Sequence, residues 1–165
     1  VRSEAFSALK GVISSAVQAP SEGEGAEKPK GLSQSEKDAI AAADVLIKNY
    51  DRKRDGEKGG FLAYDEMGSS PTVRRHIIFA FLGKKDRLAV KDLLLELRAA
   101  RKDDQEFVKS AVEKIQSAFQ LFPPRVYDDA KSASPAEAAD IIAEWWKQAD
   151  RADYYDGNDD NGGKE

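Results

Sequence analysis

The chain has no cysteine, one histidine and one methionine among its 165 residues. Without cysteine there is no disulfide framework, no thiolate metal site and no thiol nucleophile, and the fold is indifferent to the redox state of its surroundings. With His76 alone the sequence holds no His-Glu-x-x-His zinc motif, and it places no carboxylate and histidine together at the helical spacing of a di-iron bundle. His76 is therefore expected on a helix surface or in a satisfied packing position. Long apolar runs are missing too. The longest, Ile77-Ile78-Phe79-Ala80-Phe81-Leu82, stops at Gly83, well short of the ~18 residues that read as a bilayer span. No segment has the pattern of a signal or transit peptide, and a first residue of valine fits either cleavage of a targeting segment or trimming of the chain.

Motifs of nucleotide and acyl chemistry are also absent. There is no Gly-x-Gly-x-x-Gly, no Gly-x-x-x-x-Gly-Lys-Ser/Thr and no Gly-x-Ser-x-Gly. The segment from Asp51 opens like a calcium loop, but its third position is Lys53 and its twelfth is Leu62, and a cation would face Arg52, Lys53 and Arg54. The oxygen-rich run from Asp156 to Gly162 has no following helix to organise it. Asp103-Asp104 suits a helix start, and Asp128-Asp129 falls in an expected loop. These exclusions leave no catalytic residue, no metal ligand and no cofactor site to name, and the expectation is a protein that docks rather than catalyses.

What the chain does have is charge and helix formers. Charged residues make up 34% of it, against about a quarter in a typical globular domain. The net charge of −4 is unevenly spread: residues 1–125 hold 22 basic against 19 acidic residues, and residues 126–165 hold 4 against 11. Such asymmetry points to electrostatic docking, or to the acidic end shielding the rest.

Periodicity predicts an all-α chain. Phe6, Leu9, Ile13 and Val17 mark a short helix over 3–17, weakly anchored and expected to order on a partner. Residues 19–32 read as linker. Ser33-Gln34-Ser35-Glu36 is a capping box opening a helix over 34–55, with Ile40, Ala43, Ile47 and Tyr50 along one stripe. The glycine-rich connection 56–69 contains Phe61, Leu62, Tyr64 and Met67 and is expected to pack on the helices. Ser70-Pro71 starts a helix over 71–83, with Gly83 as its stop. Further helices are expected over 86–102 and 104–122, the last ended by Pro123-Pro124. A loop over 123–133 precedes a second capping box, Ser134-Pro135-Ala136-Glu137, and a helix over 135–150. The organisation expected is an N-terminal helix and linker (1–32), a four-helix bundle (33–124), a C-terminal helix (125–152) and a disordered acidic tail (153–165).

Two features stand out as docking candidates. Arg74 and Arg75 lie in the first turn of a helix, where the dipole disfavours positive charge, and Lys84, Lys85 and Arg87 follow its end. The bland alternative is an ordinary solvated face, since Asp86, Asp92 and Glu96 are interleaved. Trp145 fits the apolar face of its helix, whereas Trp146 points about 100° away; either the fold covers both rings or Trp146 is an exposed anchor. Overall acidity argues against a nucleic-acid partner.

The stretch Ala43-Asp44-Val45-Leu46-Ile47-Lys48-Asn49-Tyr50-Asp51, the glycine-rich connection and Ser70-Pro71-Thr72-Val73-Arg74-Arg75 resemble small helical proteins of the thylakoid lumen. The organisation over about 34–122 is similar to the PsbQ-like extrinsic subunits of photosystem II, including the variant of diatoms and related algae. That resemblance implies a non-catalytic protein, peripheral to the membrane on the lumenal side of the chloroplast thylakoid. It would dock through charge on the photosystem core or other extrinsic subunits, be monomeric before docking, and support oxygen evolution. The partner-binding residues would then be Arg74, Arg75, Lys84, Lys85 and Arg87, with Trp146 the candidate for an aromatic anchor. The acidic tail and the Trp145-Trp146 helix depart from the simplest form of that family. A soluble helical adaptor or assembly factor for another protein partner, in another compartment, is the alternative.

Overall fold

A computed structural model describes residues 2–16, 31–49 and 64–158. Among these the regular structure is entirely helical, with seven α-helices and no strand. The helices are α1 (Arg2–Ser14), α2 (Gln34–Asn49), α3 (Pro71–Gly83), α4 (Ala89–Ala99), α5 (Gln105–Phe119), α6 (Pro124–Ser132) and α7 (Pro135–Asn158), with a short 3-10 helix at Tyr64–Met67 before α3. No described helix is long and apolar enough to cross a membrane. Residue 1 and the segments 17–30, 50–63 and 159–165 lie outside the described residues, and with them most of the expected linker over 19–32, the end of the 34–55 helix, most of the 56–69 connection and the last part of the acidic tail.

Capping chemistry sets the helix starts. At α2 the Ser33 hydroxyl accepts the Glu36 amide at 3.1 Å, and the Glu36 carboxylate accepts the Ser33 amide at 2.8 Å. At α3 the Ser70 hydroxyl accepts the Val73 amide at 3.4 Å, and Pro71 fills the first turn where no amide partner is needed. Asp104 caps α5 through the Phe107 amide at 3.2 Å.

The chain divides into two compact units, Val1–Asp92 and Leu93–Glu165, the division falling within α4. In the first unit α1 packs on α2, α2 on α3, and the 3-10 helix lies against α1 and α3. Its core is formed by Ile13, Leu46, Met67, Ile77, Phe81 and Leu82, all at most 2% exposed. The N-terminal helix is thus not the weakly anchored extension the sequence suggested. Ile13 is fully buried, the Ser14 hydroxyl donates to the Glu66 carbonyl at 2.7 Å, Lys10 pairs with Glu66 at 3.3 Å, and the Ser69 hydroxyl donates to the Ala16 carbonyl at 3.3 Å. This close seating needs Gly68, which has φ +81°; a Cβ there would stand 2.7 Å from the Ile13 carbonyl oxygen.

In the second unit α5 packs on α6 and α7, and α6 on α7. Phe107, Val108, Ala111, Val112 and Ile115 form the buried stripe of α5, facing Ala130, Ala138, Ala139 and Ile142 in the core. The expected loop over 123–133 is instead α6. Pro123-Pro124 does end α5, but a proline at the first turn also suits the start of a helix, and the Tyr127 amide donates to the Pro123 carbonyl at 3.0 Å. The α5–α6 turn is pinned by Gln116, whose side-chain amide donates to the Phe122 carbonyl at 3.0 Å while its oxygen accepts the Phe122 amide at 2.8 Å. The last helix also outruns its expected end at 152: the backbone stays helical to Asn158.

Candidate functional site

The five cations expected to form one docking face all belong to the first unit, but they do different work. Arg74 is half-buried. Its guanidinium donates to the Gly68 carbonyl at 3.0 Å and lies 5.6 Å from the centre of the Tyr64 ring. It therefore ties the 3-10 segment to α3. Lys84 reaches across to α2, where its ammonium donates to the Ile47 carbonyl. This contact ties the C-terminal end of α3 to α2. Arg75 and Arg87 are half-buried, and both also interact within the protein.

Lys85 differs from these four. The sequence marks Gly83 as the end of α3, yet the reversal of the chain falls at Lys85, with φ +57°. Its amide donates to the Leu82 carbonyl at 2.9 Å, and the Asp86 amide to the Phe81 carbonyl at 3.1 Å. These are the two bonds of a Schellman turn, whose left-handed position is ordinarily glycine. Lysine there carries a steric cost of about 1 kcal/mol. The residue is exposed, and no side chain among the described residues pairs with its ammonium. Asp86 accepts the Leu88 amide at 3.1 Å, which fixes the chain immediately after this turn.

His76 sits on the surface between α3 and α2, its Nε2 2.7 Å from Asp44 Oδ1. Among the described residues no three potential ligands come together to hold a metal ion. A buried polar contact lies at the starts of α2 and α3. Glu36, 2% exposed, accepts the Ser70 hydroxyl at 2.6 Å with one oxygen while the other serves its own capping box.

In the second unit Trp146 is half-buried and packs edge-to-face on Phe119, with ring centroids 4.9 Å apart at 66°. Trp145, expected within the apolar face, instead lines an open groove of about 430 Å³ together with Val126, Asp129, Asp140, Ile141 and Glu144. This groove was not foreseen. Its signal lay in two superposed i, i+4 pairs on α7, Ile141/Trp145 and Asp140/Glu144. What hid it was the expectation of a loop where α6 supplies the opposite wall.

These features define an all-helical protein with polar and aromatic surface elements and no assembled metal cluster among its described residues. Comparison with the models of protein families, with curated proteins and with solved structures finds no match to this chain.

Proposed function

We propose that this protein is a non-catalytic docking protein that binds its partner electrostatically through the turn at the end of α3, and that the partner is photosystem II. The observation that supports docking is Lys85. An exposed lysine held in a left-handed conformation where glycine would be easier is the kind of local strain that accompanies a functional position. Arg74 and Lys84 contribute mainly by fixing the frame through Gly68 and Ile47. The photosystem assignment rests on the resemblance of the 34–122 segment to PsbQ-like extrinsic subunits. It takes α2, α3, α4 and α5 as the four-helix bundle of that family and places the protein in the thylakoid lumen, peripheral to the membrane, supporting oxygen evolution.

The experiment is fractionation of source-cell thylakoids with a salt wash of roughly 1 M, which reduces the Debye length to about 3 Å. The expected result is co-purification with photosystem II at low salt and release by the wash. Rebinding of the Lys85→Glu variant should be weaker while its melting temperature is unchanged. A protein that never meets those membranes refutes the photosystem assignment. Unchanged rebinding of Lys85→Glu removes the α3 turn from the interface.

A further inference from the structure

We propose that the groove between α6 and α7 docks a cationic amphipathic helix of a partner protein. The surface belongs to the second unit and is independent of the Lys85 turn and of the photosystem assignment. Its apolar lining is Val126 from α6 with Ile141 and Trp145 from α7, and its rim is acidic on both sides, with Asp129 on α6 and Asp140 and Glu144 on α7. The two helices that form its walls pack on each other, so the depression is the furrow between neighbouring helices. A third helix is the element whose ridge fits such a furrow. The repeat on α7 sets the register. Ile141 and Trp145 are one turn apart, as are Asp140 and Glu144, and one helical turn rises about 5.4 Å. A partner helix with apolar residues at i, i+3 or i+4 would meet the apolar pair, and lysine or arginine beside that stripe would meet the carboxylates.

Charge complementarity selects the occupant. Asp129 and Glu144 are exposed and have no ion-pair partner among the described residues. Asp140 is held only at 3.4 Å by Arg98, both side chains being largely solvated, so a competing cation displaces that contact easily. The half-buried indole of Trp145 offers a face for cation–π contact with an incoming lysine or arginine. A small apolar ligand fits this site less well, because the groove is open to solvent and could not enclose most of such a molecule's surface.

The test uses the full chain carrying Trp146→Phe, which keeps an aromatic ring against Phe119 and leaves Trp145 as the sole indole. Its fluorescence is titrated with a synthetic helical peptide bearing a leucine stripe flanked by lysines, and with a twin peptide carrying glutamates in place of the lysines. The expected result is saturable binding of the lysine peptide, loss of binding by the twin, and at least about tenfold weakening by Asp129→Lys/Glu144→Lys or, more mildly, by Asp129→Asn/Glu144→Gln. Both pairs change exposed side chains and should keep the parent melting temperature. Equal binding of the two peptides, no saturable binding, or indifference to both pairs of substitutions overturns the proposal. Self-association of the chain without peptide, abolished by the same charge reversal, would assign the groove to a second copy and overturn it equally.

Discussion

Removing the Ser70 hydroxyl should destabilise this protein far more than removing an equivalent serine from its other capping box. At the start of α2, Ser33 and Glu36 form a capping box whose glutamate is buried and whose second oxygen accepts the Ser70 hydroxyl at 2.6 Å. Ser70 in turn caps α3. Ser70→Ala therefore removes a helix cap, about 1 kcal/mol, and deprives a buried carboxylate of a hydrogen bond, about 1.5–3 kcal/mol. Because the 3.4 Å cap bond to Val73 is long, the expected total is about 2–3 kcal/mol, equivalent to about 5–10 °C in Tm for a chain of this size. Glu36→Ala should cost about 2–4 kcal/mol, since it strands both the Ser33 amide and the Ser70 hydroxyl. The double variant should lose less than the sum, by about 1–2 kcal/mol, because the two residues share one interaction. Ser134 and Glu137 repeat the motif at the start of α7 with an exposed glutamate, so Ser134→Ala should cost only about 1 kcal/mol. Urea unfolding followed by circular dichroism measures all four variants. A Ser70→Ala variant within about 0.5 kcal/mol of the parent, or no worse than Ser134→Ala, would refute the burial argument.

Lys85→Gly should stabilise the fold by about 0.5–1 kcal/mol, the relief of left-handed strain being partly offset by the greater freedom of glycine in the unfolded chain; the same unfolding assay reads this, and a loss of stability would show that the turn is not strained. Gly68→Ala should destabilise by at least about 2 kcal/mol, because positive φ and the approach to the Ile13 carbonyl act together. Increased amide exchange confined to α1 and the 3-10 segment would locate that damage, and wild-type protection there would contradict it. The Glu137 carboxyl is held below the usual carboxylate range by the Ser134 amide and, second, by its hydroxyl. Its contribution is therefore complete above the ordinary glutamate pKa of about 4.3 and is lost as pH falls through the lower folded-state value. In Glu137→Gln the slope of stability against pH in that acid window should be shallower, and an unchanged slope would remove Glu137 from the acid response.

Local chemistry in the sequence determined the helical class and most helix starts, because a capping box, a proline at a first turn and a 3.6-residue apolar repeat each act within a few residues of chain. The α3 boundaries at Pro71 and Gly83 were legible for this reason. Of the stripe expected on α2, Ala43 and Ile47 are buried and Ile40 is half-buried. Pro123-Pro124 was ambiguous, since the same residues stop one helix and start the next, and only the packing of α6 against α5 and α7 decided between them. Gly83 ends α3, yet the left-handed residue is Lys85, because its identity depends on where the last helical bonds close. Nothing near Arg74 or Lys84 in the chain revealed that their cations serve the carbonyls of Gly68 and Ile47, the latter 37 residues away from Lys84. The groove at Trp145 required two helices to meet. A sequence reports the faces of single elements, while a site between elements exists only once tertiary contacts bring those faces together.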